Sequence, residues 1–95
     1  MESRIGVIGI IVENRREAAP RVNEILSRHA EIIVGRMGVP YREKNLSVIA
    51  LIVDGTTDAL GALTGQLGAL PGVKVKSALA RRLSGADPQR KGSDW

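Results

Sequence analysis

The sequence predicts a single α+β domain of the ferredoxin-like βαββαβ kind, a four-stranded antiparallel sheet in the order 4-1-3-2 with both helices on one face. Three observations predict it. Strand-like and helix-like hydrophobic patterns alternate as strand, helix, strand, strand, helix, strand within about 80 residues, which suggests two split βαβ halves. Ile5–Val12 and Leu46–Val53 are apolar on both alternating faces, apart from Ser47, which marks central strands. Val73–Leu79 instead alternates with Lys74 and Lys76, as an edge strand does. Right-handed crossovers then put the first and third strands in the middle, in agreement with their composition.

The elements follow in order. After the first strand, Asn14 and Glu17 have capping-box spacing. A helix starting there would carry Pro20 too deep, where it removes an intrahelical bond. A start near Arg16 or Glu17 keeps Pro20 in the first turn. Val22, Ile25, Leu26 and His29 form an i, i+3, i+4, i+7 stripe, and the helix ends near Ala30. Ile32-Ile-Val34 opens a second strand that runs to about Met37, and Gly38–Asn45 reads as a hairpin connection. Asp54-Gly55 closes the third strand. Thr56 or Thr57 can cap a second helix with Asp58 in its first turn. Leu60, Leu63 and Leu67 are its buried stripe, and Gly68 with Pro71-Gly72 stops it.

The glycines carry further expectations. An interior helix glycine costs about 1 kcal/mol against Ala. Gly61, Gly65 and Gly68 are therefore expected to pack closely against the sheet or a partner, with a ligand cleft as the alternative. Gly6 and Gly9 sit inside a strand and not at a strand–helix turn, so they suggest close approach of backbone or helix and not a nucleotide loop.

Residues 1–80 make up the domain. Residues 81–95 read as a flexible polar tail with almost nothing to bury, Trp95 at its end included. With both helices on one side, the other face of the two central strands is bare hydrocarbon in a monomer. A patch that large is rare on soluble monomers. A homodimer or homotetramer through the sheet is the expectation.

Composition excludes several function classes. The chain has no cysteine, which removes disulfides, iron–sulfur clusters and thiolate zinc sites. His29 is the only histidine and has no second ligand to complete a metal site, so neither metal nor cofactor is expected. The run from Ile5 to Val12 is too short for a signal core and no stretch approaches a membrane span, which points to a cytoplasmic protein with no membrane partner. The net charge is +4. Residues 1–80 hold ten Lys/Arg against eight Asp/Glu, giving +2, and residues 81–95 hold four against two, giving the other +2. Helix-one arginines alternate with Glu17, Glu24 and Glu31, and Tyr41 and Trp95 are the only aromatics, so stacking platforms are absent. No specific nucleic-acid binding is expected.

Two places could hold a ligand. Arg36, Tyr41, Arg42 and Lys44, with Glu43, form the densest polar cluster. Arg36 interrupts an apolar strand, where an unpaired cation is costly. It needs a carboxylate of its own or a neighbouring subunit, a backbone carbonyl, or an anionic ligand. The turn Glu13-Asn-Arg-Arg16 lies at the positive end of the first helix, where anions bind readily, with plain solvated capping as the alternative. No carboxylate pair stands out as acid and base, and no serine has a nucleophile-elbow context.

Gly35-Arg-Met-Gly-Val-Pro-Tyr-Arg-Glu-Lys-Asn45, Gly65-Gln-Leu-Gly-Ala-Leu-Pro-Gly-Val-Lys-Val-Lys76 and the opening Arg4-Ile-Gly-Val-Ile-Gly-Ile-Ile-Val-Glu13 resemble the family of iron-only hydrogenase system regulators. The resemblance spans about residues 3–80 and implies an ACT-like domain, similar in fold to the sensing domain of the nickel-responsive regulator. It implies association with the [FeFe]-hydrogenase system and a possible hydrogenase-system protein partner. The metal-ligand histidines and cysteine of the nickel regulator have no counterparts here, and there is no room for its DNA-binding segment. ACT domains take small effectors near the first strand–helix loop, which by resemblance points to Val12, Glu13, Asn14 and Arg15.

The expected function is thus an oligomeric regulatory module, not an enzyme, that senses a small-molecule effector or contacts a partner protein. The alternatives are a structural adaptor without ligand, or a small enzyme of acylphosphatase type. The last needs a glycine-rich phosphate loop, and Val12-Glu-Asn-Arg15 lacks the glycines and sets a carboxylate beside the phosphate.

Overall fold

The computed structural model describes residues 3–13 and 15–80. Asn14 and the expected tail with Trp95 lie outside the described residues. The order is β1 (Arg4–Val12), α1 (Arg15–Arg28), a 3-10 turn (Ala30–Ile32), β2 (Ile33–Tyr41), a second 3-10 turn (Arg42–Lys44), β3 (Leu46–Gly55), α2 (Thr57–Gly68) and β4 (Val73–Leu79). The four strands form one antiparallel sheet in the order β2-β3-β1-β4. This is the predicted ferredoxin-like arrangement, with the doubly apolar strands at its centre.

Strand alternation builds the core. Ile8, Ile10 and Val12 of β1 and Ile49, Leu51 and Val53 of β3 are buried under the helices. Ala18, Val22, Ile25 and Leu26 of α1 and Leu60, Leu63 and Leu67 of α2 close over them. Among the described residues no polar or charged side chain is buried. Thr56 caps α2, its hydroxyl accepting from the Ala59 amide at 3.1 Å. His29 is half-buried just past α1 and meets Gln66 of α2 (Nε2 to Oε1, 3.2 Å). It is a boundary residue, as its place on the stripe implied.

Three local expectations need correction. Helix α1 begins at Arg15, so Pro20 sits beyond its first turn. The Arg16 carbonyl then loses its usual donor, a local cost carried by the burial of Ala18 and Val22 on either side. Strand β2 runs through Gly38-Val-Pro-Tyr41, which the sequence assigns to the hairpin connection. It is an edge strand, where a missing N–H does no harm, and the connection shrinks to Arg42–Lys44 with Asn45 in the left-handed region (φ 58°). Asn tolerates that conformation better than most side chains do.

The glycines divide. A Cβ on Gly6 would stand 2.5 Å from the Ala78 carbonyl oxygen, so β4 does approach closely there. Gly9 meets nothing nearer than the Lys76 carbonyl oxygen at 4.0 Å, and Gly61, Gly65 and Gly68 face no atom within 4 Å. Close packing of the α2 glycines against this chain's own sheet is therefore not what they serve.

The second face of the sheet is open. Ile5, Val7 and Ile11 of β1, Ile52 of β3, and Met37 and Val39 of β2 are exposed on the side away from the helices. Exposure reaches 50% at Val7, 52% at Ile52 and 64% at Met37.

Candidate functional site

Strand β2 divides its side chains between the two faces. Arg36, Gly38 and Pro40 pair opposite Leu51, Ile49 and Ser47, and so lie on the helix side. Met37, Val39 and Tyr41 pair opposite Ala50, Val48 and Leu46, on the open side. The cluster that looked continuous in sequence is therefore split. Tyr41 belongs to the open face, and Arg42 and Lys44 sit on the exposed turn beyond it.

Arg36 is exposed, and its Nη2 donates to Asn23 Oδ1 on α1 at 3.1 Å. The acid expected to pair with it within this chain is absent among the described residues. Exposure explains why: an arginine in contact with water does not need an acid.

Arg15 opens α1, and its helix spacing sets Ala19, Val22 and Asn23 at i+4, i+7 and i+8 on one side. That side faces β2 and β3. The result is a cleft of about 220 Å³ with Arg15 and Arg36 among its walls and Val12, Val22 and Ile49 among its apolar surfaces. Two predicted candidate regions, the β1–α1 turn and Arg36, thus meet in one place. Asn23 and Ser47 also line it and were missed in the sequence reading. The signal for Asn23 was available, since it shares the helical repeat of Arg15.

The remaining described candidates fall outside the cleft. Glu13 turns the other way, its carboxylate 3.2 Å from Lys74 Nζ on β4 and its amide donating to the Gly72 carbonyl at 2.7 Å. With Arg15, Arg16 and Asn45 it lines an adjoining open hollow of about 560 Å³. Among the described residues no carboxylate and no histidine lines the Arg15–Arg36 cleft. Among the described residues no three His, Asp or Glu side chains gather as metal ligands, and no helix is long and apolar enough to cross a membrane. The cleft offers hydrogen-bond donors and an apolar wall, a chemistry suited to holding an anion.

Comparison with known proteins decides the family. The TM1266-like family model, described as "Iron-only hydrogenase system regulator, putative", matches residues 4–77. The chain belongs to the TM1266-like family. The matched span takes in every cleft residue named above and all three segments of the resemblance. Among solved structures, the uncharacterised protein TM1266 from Thermotoga maritima is 40% identical, with a TM-score of 0.81 over 84% of this chain and 100% of its own. An unknown protein from Galdieria sulphuraria is 14% identical (TM-score 0.57) over 87% of this chain and 48% of its own, so this TM1266-like chain spans about half of that one. CutA1 from Oryza sativa is 19% identical (TM-score 0.50) over 93% of this chain and 87% of its own, a likeness of fold. No curated protein matches the sequence.

Proposed function

We propose that this TM1266-like chain is a regulatory module of the iron-only hydrogenase system, without catalytic activity of its own. It self-associates through the open sheet face and takes a small effector in the α1–β2 cleft. It then acts on a protein partner and not on DNA. One observation carries the reading. The same edge strand supplies Arg36, Gly38 and Pro40 to the cleft and Met37, Val39 and Tyr41 to the open face. An edge strand has one neighbour and is easier to shift than a central one. A ligand that fixes β2 from the cleft side therefore changes how the open face is presented. By linkage, association must alter ligand affinity to the same degree.

The open face alone also supports a simpler reading, an adaptor that associates but senses nothing. A thermal-shift screen of small metabolites on the full chain, run beside light scattering, separates the two. Binding to the native state raises its melting temperature. The regulatory reading expects a ligand that both raises the melting temperature and changes the assembly's concentration dependence. Self-association with no ligand that shifts either quantity favours the adaptor.

A further inference from the structure

The two arginines of the cleft come from different elements, and neither has a carboxylate partner among the described residues. Arg36 is held by a neutral acceptor, Asn23 Oδ1, which aims the guanidinium and leaves its charge uncompensated. Glu13, the acid next to the β1–α1 turn, is occupied by Lys74. Between the cationic groups the wall is Val12, Val22 and Ile49, with Ser47 contributing one hydroxyl.

These features select a ligand by three criteria. It must carry a negative charge, since a planar guanidinium binds a carboxylate best through paired hydrogen bonds. It must carry a short apolar body to displace water from the valines and the isoleucine. It must not carry an ammonium group, because among the described residues no carboxylate lines the cleft to receive one and the Arg15 and Arg36 guanidiniums repel it. The cleft, at about 220 Å³, is also smaller than the roughly 300–1,000 Å³ that drug-sized ligands fill. We propose that it binds a small aliphatic carboxylate lacking an amino group, such as a branched 2-oxo acid, and rejects the zwitterionic amino acid of the same skeleton. This rests on the reading of the cleft as the effector site.

The test is a nitrogen-15 NMR titration of the full chain with four probes at matched ionic strength: 4-methyl-2-oxopentanoate, leucine, 4-methylpentanamide and inorganic phosphate. The oxo acid should move the signals of Val12, Asn23, Arg36 and Gly38 saturably. Leucine, the amide and phosphate should each bind at least about tenfold more weakly, the difference made by one charge-assisted contact or by burial of the chain. Arg36→Gln should weaken the oxo acid by a similar factor with the rest of the spectrum unchanged. Asn23→Asp sets a carboxylate beside Arg36 at constant shape and should abolish binding. Leucine binding as tightly as the oxo acid overturns the ligand class and leaves the cleft as an effector site. Phosphate equal to the oxo acid overturns the part assigned to the apolar body. If no probe, at millimolar concentration, moves the cleft signals, both this inference and the effector reading fail.

Discussion

The two faces of this sheet have nearly the same composition and opposite fates. On β1 and β3 the side chains pointing one way, Ile8, Ile10, Leu51 and Val53 among them, are wholly buried by the helices. Those pointing the other way, Val7, Ile11 and Ile52 among them, are just as apolar and stand in the open. The covered face needs nothing beyond this chain. The open face instead gathers exposed Val7, Ile11, Met37, Val39 and Ile52 on one side of the sheet, the kind of apolar patch that marks a binding surface. The comparison teaches that a strand apolar on both faces is not thereby covered on both, since the helices bury one side and leave the other open.

Substitutions on the two faces should break that comparison in different ways. Leu51→Ala on the covered face should cost about 2–5 kcal/mol in chemical denaturation, since the side chain is fully enclosed and leaves a cavity. The glycines of β1 sharpen the contrast. Gly6→Ala forces a Cβ against the Ala78 carbonyl and should cost about 1–3 kcal/mol. Gly9→Ala meets nothing nearer within its own chain than the Lys76 carbonyl oxygen at 4.0 Å and should leave a monomer's stability within about 0.5 kcal/mol. If Gly9→Ala nonetheless disrupts the assembly, the partner approaches at that point. Arg36→Ala should lower stability by less than about 1 kcal/mol, because it loses one exposed hydrogen bond to Asn23, so any larger effect on ligand binding is specific to the cleft. Smallest of all, a gel-shift at about 150 mM salt should show no preference for one DNA sequence over random competitor, because phosphate attraction fades with salt. On α1, Arg28 already lies 3.7 Å from Glu24, one of the acids that cancel the helix's positive field. Sub-micromolar affinity for one sequence would contradict the assignment of a protein partner.

Topology was legible because it rests on strong, repeated signals. Doubly apolar strands, lysines on the edge strand and the leucine stripe of α2 all pointed to one arrangement, and each element of it is present. The boundaries of α1 and β2 were not legible, for one reason in both cases. Pro20 was read by its local cost and β2 was ended near Met37, and tertiary context overrode both readings, a packed helix in one case and an edge strand in the other. The site was half legible. Arg15 and Arg36 could be named from charge and position. That they share a cleft, while Tyr41, Arg42 and Lys44 do not join them, depends on the strand extending past Gly38 so that alternation sorts its residues between faces. An extended hairpin loop in that place would have kept the cluster whole.

The central claim is that the open face is an interface between copies of this chain. Multi-angle light scattering on the purified full chain at micromolar concentration tests it most directly, with Ile52→Asp run alongside. A dimer or tetramer mass for the wild type, falling to the 10.2 kDa of one chain in a variant that remains folded, is the predicted result. A wild-type chain that is monomeric at that concentration, with the same melting temperature as Ile52→Asp, would contradict it.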